Sequence, residues 1–219
     1  PVMETDDAVR LVEGFAHTRP DSVLTLHGVG DPLMHPGVFD VIGAARAAGV
    51  GLVHLRTDAL SEAFDPSRLA SSGLDVLSVD VLAASREVYQ TMTGVDRFEV
   101  VKSRVEAVLA ERGSVAGLPG LWVVPRITRC DAVYEEIERF YDGWLMGCCS
   151  AVIDSIPAGA VLPGTARIRA LPLPALARER LTRELVRVRS DGAVVDAFGR
   201  ATDAGVWARG IAGAVDAAA

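Results

Sequence analysis

The chain is poor in several things, and each shortage excludes something. It holds three cysteines, Cys130, Cys148 and Cys149, too few over 219 residues for a disulfide framework and in keeping with a reducing compartment. Of its 22 basic residues only Lys102 is lysine, and 29 acidic residues bring the net charge to −7, which argues against a nucleic-acid surface. The arginine bias, with its abundant Ala, Val and Gly, reads as coding composition and not as a binding signal. No apolar run approaches a membrane span and no cationic, apolar leader opens the chain, so no membrane partner is expected and the cytoplasm is the expected location. The third glycine of a dinucleotide fingerprint is missing after Gly28 and Gly30, and Pro32 interrupts the pattern. Ser78 has no nucleophile-elbow context, and no Ser–His–Asp order stands out. Neither a fixed-period repeat nor a heptad pattern is visible.

What remains is half hydrophobic and long enough for one large domain, or a domain with an appendage. The organising stretch is Leu24-Thr25-Leu26-His27-Gly28-Val29-Gly30-Asp31-Pro32-Leu33-Met34-His35-Pro36. A short buried strand, from Ser22 to Leu26, runs into a glycine turn stiffened by Pro32 and carrying the Asp31 carboxylate. In parallel α/β folds ligands bind at that end of a strand, although an ordinary βα turn has the same spacing.

Around it the chain alternates. Thr5 or Asp6 is placed to cap a first helix with Val9, Val12, Phe15 and Ala16 on its apolar face. A helix is expected from about Val38 to Ala48, a strand from Gly51 to Leu55, and a shorter helix carrying Leu60, Phe64 and Leu69. Leu74 to Val81 reads as a third strand, followed by helices over Ser85 to Met92 and Arg97 to Arg112. Gly117 to Gly120 reads as a loop and Leu121 to Ile127 as a fourth strand. Asp131 then opens a helix with Val133, Ile137, Phe140, Tyr141 and Trp144 inward, and with Glu135 and Glu136 suiting its positive end. Cys149 to Ile153 would be the fifth strand. Five βα repeats imply a parallel sheet covered by helices. Ala158 to Pro174 reads as a linker, Leu185 to Arg189 with Ala193 to Ala197 as a hairpin around Asp191-Gly192, and Ala204 to Ala218 as a final helix.

In this order the stretches resemble the radical SAM superfamily, in particular its SPASM branch. Its members carry Gly-x-Gly-Glu-Pro-Leu-Leu-His-Pro after a strand, matched by Gly28 to Pro36; then Thr-Asn-Gly, matched by Thr57-Asp58-Ala59. Leu74-Asp75-Val76-Leu77-Ser78-Val79-Asp80, Tyr89, Gly94 through Phe98, and Glu136, Phe140 and Trp144 follow in the same register. The resemblance implies a partial (β/α) TIM-like barrel of parallel strands over residues 1–157. A linker with a degenerate SPASM-like β-hairpin and helix would follow over 158–219. It also implies that Gly28, Gly30 and Asp31 face the amino group of S-adenosylmethionine, with Ser78 and Asp80 near its ribose and Arg126 near its carboxylate.

The departures are as informative. Radical SAM chemistry needs a CxxxCxxC loop whose thiolates hold a four-iron four-sulfur cluster. The three cysteines here lack that spacing, and Ala197 stands where the SPASM hairpin places a thiolate. Cys148 and Cys149, adjacent on a strand, would point to opposite faces, and all three cysteines are expected as small core residues. The missing piece is contiguous, first strand plus cluster loop, and Pro1 instead of Met leaves room for upstream sequence. The expectation is a non-catalytic binding or scaffold domain with no iron–sulfur cluster of its own. The alternative is the later part of an active enzyme, acting on a peptide or small molecule, whose cluster loop lies upstream of residue 1. A cluster-free methyl-donor or metal-dependent enzyme ranks last, and His27, His35, Asp31 and Asp80 would have to converge to bind a divalent metal. A barrel lacking its first strand also exposes a sheet edge, so an upstream domain, the C-terminal extension or a second copy of the chain is expected to cover it.

Overall fold

The computed structural model describes residues 2–28, 30–115, 118–155 and 187–195. Helix α1 (Thr5–Thr18) leads into strand β1 (Val23–Leu26), a single 3-10 turn (Pro32–Met34) and helix α2 (Val38–Ala47). Strand β2 (Leu52–Thr57), helix α3 (Pro66–Ser71), strand β3 (Val76–Asp80) and helices α4 (Arg86–Thr93) and α5 (Phe98–Glu111) follow. A small antiparallel pair, β4 (Ser114–Val115) and β5 (Leu118–Pro119), precedes strand β6 (Trp122–Arg129). A 3-10 segment (Asp131–Glu136), helix α6 (Ile137–Cys148), strand β7 (Val152–Ser155) and a hairpin of β8 (Arg187–Val188) with β9 (Val194–Val195) complete it.

Five strands form one parallel sheet in the order β1-β2-β3-β6-β7. Because the order is sequential and crossovers are right-handed, every connecting helix falls on the same side. That is how (β/α) barrels are wound; doubly wound sheets, whose order reverses, carry helices on both faces. Period-2 alternation shows the consequence. Val53, Leu55, Leu77, Val79, Val123 and Ile127 point to the helices and are wholly buried. On the opposite face Thr25, His54, Arg56, Ser78, Asp80, Arg126 and Asp154 form a polar field.

The sequence explains most boundaries. Asp65 caps α3, its carboxylate accepting the Arg68 N–H at 3.0 Å with Pro66 in the first turn, while Ser85 caps α4 and Gly94 ends it at φ +76°. The α3 cap also shows why that helix starts later than its apolar pattern suggests: Leu60 and Phe64 lie in the loop before it. Glu136 is not spent on its own helix. Its Oε2 accepts the N–H groups of Ala84 at 2.8 Å and Ser85 at 3.2 Å, tying α4 to the 3-10 segment.

Other expectations need correction. Cys149 belongs to no strand: α6 runs through Cys148, Cys149 is its left-handed cap at φ +61°, and β7 begins only at Val152. Cys149 is exposed, and Tyr141 is partly exposed instead of turned inward; Cys130 and Cys148 are core residues. The loop expected at Gly117 to Gly120 contributes β5. Helix α1 begins at Thr5 without a side-chain cap bond. The hairpin forms around Asp191-Gly192 as expected, with Gly192 at φ +78°. The linker over 158–174, the final helix over 204–218 and the boundary at 157/158 lie outside the described residues. No helix of the described residues is long and apolar enough to cross a membrane.

Candidate functional site

The carboxyl ends of β1, β2 and β3 surround a cavity of about 210 Å3 lined by His27, Gly28, Gly30, Asp31, Pro32, Arg56, Thr57, Asp58 and Asp80. Four of the six residues expected at a ligand, Gly28, Gly30, Asp31 and Asp80, therefore meet in one place. Gly30 needs its hydrogen, since it sits at φ +99°. A Cβ built on Gly28 meets nothing within 4 Å, so this backbone is open to an incoming group.

Asp31 is held by its neighbours. Its Oδ1 accepts the Leu33 N–H at 2.8 Å; its Oδ2 accepts the Asp58 N–H at 2.8 Å and the Thr57 hydroxyl. Three of roughly four acceptor positions on that carboxylate are thus in use. Asp58 in turn caps its own loop, accepting the Leu60 N–H at 2.8 Å. Burial, and then a hydrogen bond with the Asp31 carboxyl, push the Asp58 carboxyl up to about 6.

Ser78 and Arg126 lie a layer deeper. Ser78 is buried, its Oγ 2.8 Å from His54 Nε2, and Arg126 Nη1 donates to it at 3.2 Å. His54 Nδ1 lies 3.2 Å from Thr25 Oγ1. Burial, with Arg126 and Arg56 nearby, lowers the His54 pKa to about 4, so the imidazole is neutral near pH 7; burial and Arg56 lower that of His27 as well. The Ser78–His54 contact has the geometry of a nucleophile and base, but Ser78 is only 1% exposed and its hydroxyl has no open route to a substrate.

Above them an alternating charge ladder crosses four strands. Arg56 grips both oxygens of Asp80 through Nε at 2.9 and 3.0 Å, and its Nη1 reaches Asp154 Oδ2 at 3.2 Å. Arg126 holds the same Asp154 with Nε at 2.7 Å and Nη2 at 2.5 Å, a bidentate fork. Arg126, expected near a ligand carboxylate, has its fork occupied by Asp154 in the structure. His54, Arg56, Asp58 and Asp154 were missed as site residues. The alternation in Leu52–Thr57 contains the signal for two of them, since His54 and Arg56 share a face with the register partners Ser78 and Val76.

The metal set of His27, His35, Asp31 and Asp80 does not converge. His35 Nε2 lies 2.7 Å from the Met3 carbonyl and its Nδ1 accepts the Gly37 N–H at 3.1 Å, so this ring pins the start of α1 to the turn. Among the described residues no group of three or more His, Cys, Asp or Glu is arranged to hold a metal ion. The cysteines do not fit the cluster that the resemblance implies. Cys130 follows the carboxyl end of β6, whereas Cys148 and Cys149 sit at the far end of the sheet, separated from it by the 12 residues of α6, about 18 Å.

Fold and site define a parallel α/β sheet covered by helices on one side, with a small acidic cavity at its strand ends. No family model matches the sequence. The chain is 27% identical over 110 residues to GTP 3',8-cyclase of Chlorobaculum tepidum, a match covering 50% of this chain and 32% of that protein. Its fold is similar to Streptococcus suis SuiB at a TM-score of 0.50 and 14% identity, over 78% of this chain and 38% of that one. The structure of SuiB bound to S-adenosylmethionine matches equally well. The sequence and fold likenesses together support a relationship to the radical SAM superfamily, and the chain spans less than two fifths of GTP 3',8-cyclase and of SuiB.

Proposed function

We propose that this chain is a radical-SAM-like binding domain whose strand-end cavity takes S-adenosylmethionine and whose own residues hold no iron–sulfur cluster. The supporting observation is the convergence of Gly28, Gly30, Asp31 and Asp80 on one cavity. The fold is similar to that of a protein whose structure is bound to S-adenosylmethionine. In this reading the carbonyls around Gly28 and Gly30 and the Asp31 carboxylate accept from the ligand's ammonium. Asp80 and Ser78 lie on the ribose side, and Arg126 reaches the ligand carboxylate only by loosening its fork on Asp154. S-adenosylmethionine brings a sulfonium centre, whose reductive cleavage in radical SAM enzymes needs an electron from an iron–sulfur cluster that these three cysteines are not placed to hold. The role is therefore binding or scaffolding, in a partial barrel over residues 1–157 with an extension after it. The outer edge of β1, unpaired among the described residues, is where an upstream domain or a second copy would attach.

A second reading is favoured by the likeness to GTP 3',8-cyclase. In it the chain is part of an active radical SAM enzyme, modifying a peptide or small molecule, with its cluster loop upstream of residue 1. Two measurements separate the readings: calorimetric titration with S-adenosylmethionine, and iron and acid-labile sulfide on full-length protein purified without oxygen. Saturable binding at one ligand per chain with no iron after reconstitution is the expected result. Several irons per chain hand the case to the enzyme, and no heat of binding removes the ligand assignment.

A further inference from the structure

The two places where this sequence departs from the Gly-Glu-Pro and Thr-Asn-Gly patterns, Asp31 and Asp58, are neighbours in space. Asp31 is shorter than the Glu it replaces, and three of its acceptor positions are already taken by Leu33, Thr57 and Asp58. An ammonium group arriving at the glycines therefore finds little of Asp31 free. It does find Asp58, which lines the same cavity and whose backbone N–H donates to Asp31 Oδ2 at 2.8 Å, so the two carboxyl-bearing residues are direct neighbours. Burial, and the repulsion between neighbouring negative charges, make the Asp58 carboxyl keep its proton to a higher pH than usual.

Resting on the ligand reading above, we propose that Asp58 is a second carboxylate of the site and that an ammonium-bearing ligand enters in exchange for the proton Asp58 holds beside Asp31. The exchange balances. The singly protonated pair carries one negative charge, the ligand brings one positive charge, and one proton leaves to solvent. Nothing covalent changes. The rise of Asp58 to about 6 places the exchange in a range the protein can experience. Asp31 faces Asp58 from the β1–α2 turn and Asp80 from the end of β3; both disfavour its ionised form. Arg56 and His27 line the same cavity from β2 and β1, Glu62 lines the groove on the outer side, and the Tyr89 hydroxyl of α4 feels the Asp58 charge. Arg56 is held by Asp80 and Asp154, so it does not neutralise the Asp31–Asp58 pair.

The test is calorimetric titration of the full chain with S-adenosylmethionine at pH 5.5 and 7.0, in buffers of different ionisation enthalpy. A group titrating at about 6 makes binding about fourfold weaker at pH 5.5 than at 7.0, with most of one proton released per ligand at the lower pH. Asp58→Asn, which keeps the acceptor for the Leu60 N–H, is expected to bind more weakly at pH 7.0 and to release no proton at pH 5.5. Binding by the wild type with no proton release, or the same release from Asp58→Asn, overturns the inference and leaves the ligand reading standing. No binding at either pH overturns both. Should the variant not fold, carboxyl carbon chemical shifts of the wild type decide. Asp58 must titrate near 6 alone and well below 5.5 when saturated with S-adenosylmethionine, and an unchanged titration refutes the exchange.

Discussion

At the scale of single residues, His54 shows how the open face of the sheet responds to acid. Its imidazole is placed between two hydroxyls and beside two guanidinium groups, and its pKa falls from 6.5 to about 4. Below 6.5 the unfolded chain binds a proton that the folded chain refuses. Stability is therefore greatest above that value and declines as pH falls from 6.5 toward 4, where the folded imidazole also protonates. Asp58 acts in the opposite sense between 3.8 and about 6, because its folded form keeps the proton longer. His54→Gln retains hydrogen bonding to Ser78 without titrating. Its unfolding free energy, measured in denaturant at pH 7, 5.5 and 4.5, is expected to fall less steeply than that of the wild type. Equal slopes would show that the imidazole is not held neutral. His54 itself was legible as a strand residue and not as a site residue. Ser78 lies 24 residues further along the chain and Arg126 another 48 beyond Ser78, and only strand register brings the three together.

Elements were legible where one signal dominated. The apolar runs of β2 and β3 and the helix opening at Ser85 rest on local signals, and these elements are present. Reading failed where a local pattern had two outcomes. Leu60 and Phe64 have helical spacing yet pack from a loop, and the apolar run after Cys149 suits a strand that begins three residues later. The junction of α1 and α2 was not legible at all, because it depends on a close approach. Gly37, the residue before α2, faces Thr5 at the start of α1; a Cβ there would stand 2.8 Å from Thr5 Cβ and closer still to its outer atoms. Gly37→Ala is expected to push the start of α1 away, weaken the His35 hydrogen bond to Met3, and cost about 1–3 kcal/mol. Thermal unfolding checks the cost, and restoring stability with Thr5→Gly on top of Gly37→Ala would identify the collision as its cause. A stability equal to wild type means that α1 yields freely.

For the whole molecule, winding all helices onto one side leaves the sheet with two different faces, and each needs its own source of cohesion. The helical face is held by buried aliphatic side chains. Among the described residues the open face has no comparable apolar layer at its carboxyl end, and there the ladder Asp80–Arg56–Asp154–Arg126 joins β2, β3, β6 and β7 with two positive and two negative groups. These side chains are between 16% and 23% exposed, so their attraction is only partly screened, and loss of one member strands charges that water reaches poorly. Asp154 carries the most weight because both arginines converge on it, and because it stands on β7, which among the described residues pairs only with β6. Asp154→Asn leaves two guanidinium groups facing each other across a neutral amide. The expected loss is about 1–3 kcal/mol after allowance for partial exposure. Amide exchange should quicken in β7 before it quickens in β2 or β3. Arg126→Gln in the same background should recover part of the loss, since it removes the stranded charge. If the double variant is as unstable as the sum of the two single ones, the ladder is three independent contacts and β7 is held by its backbone pairing alone.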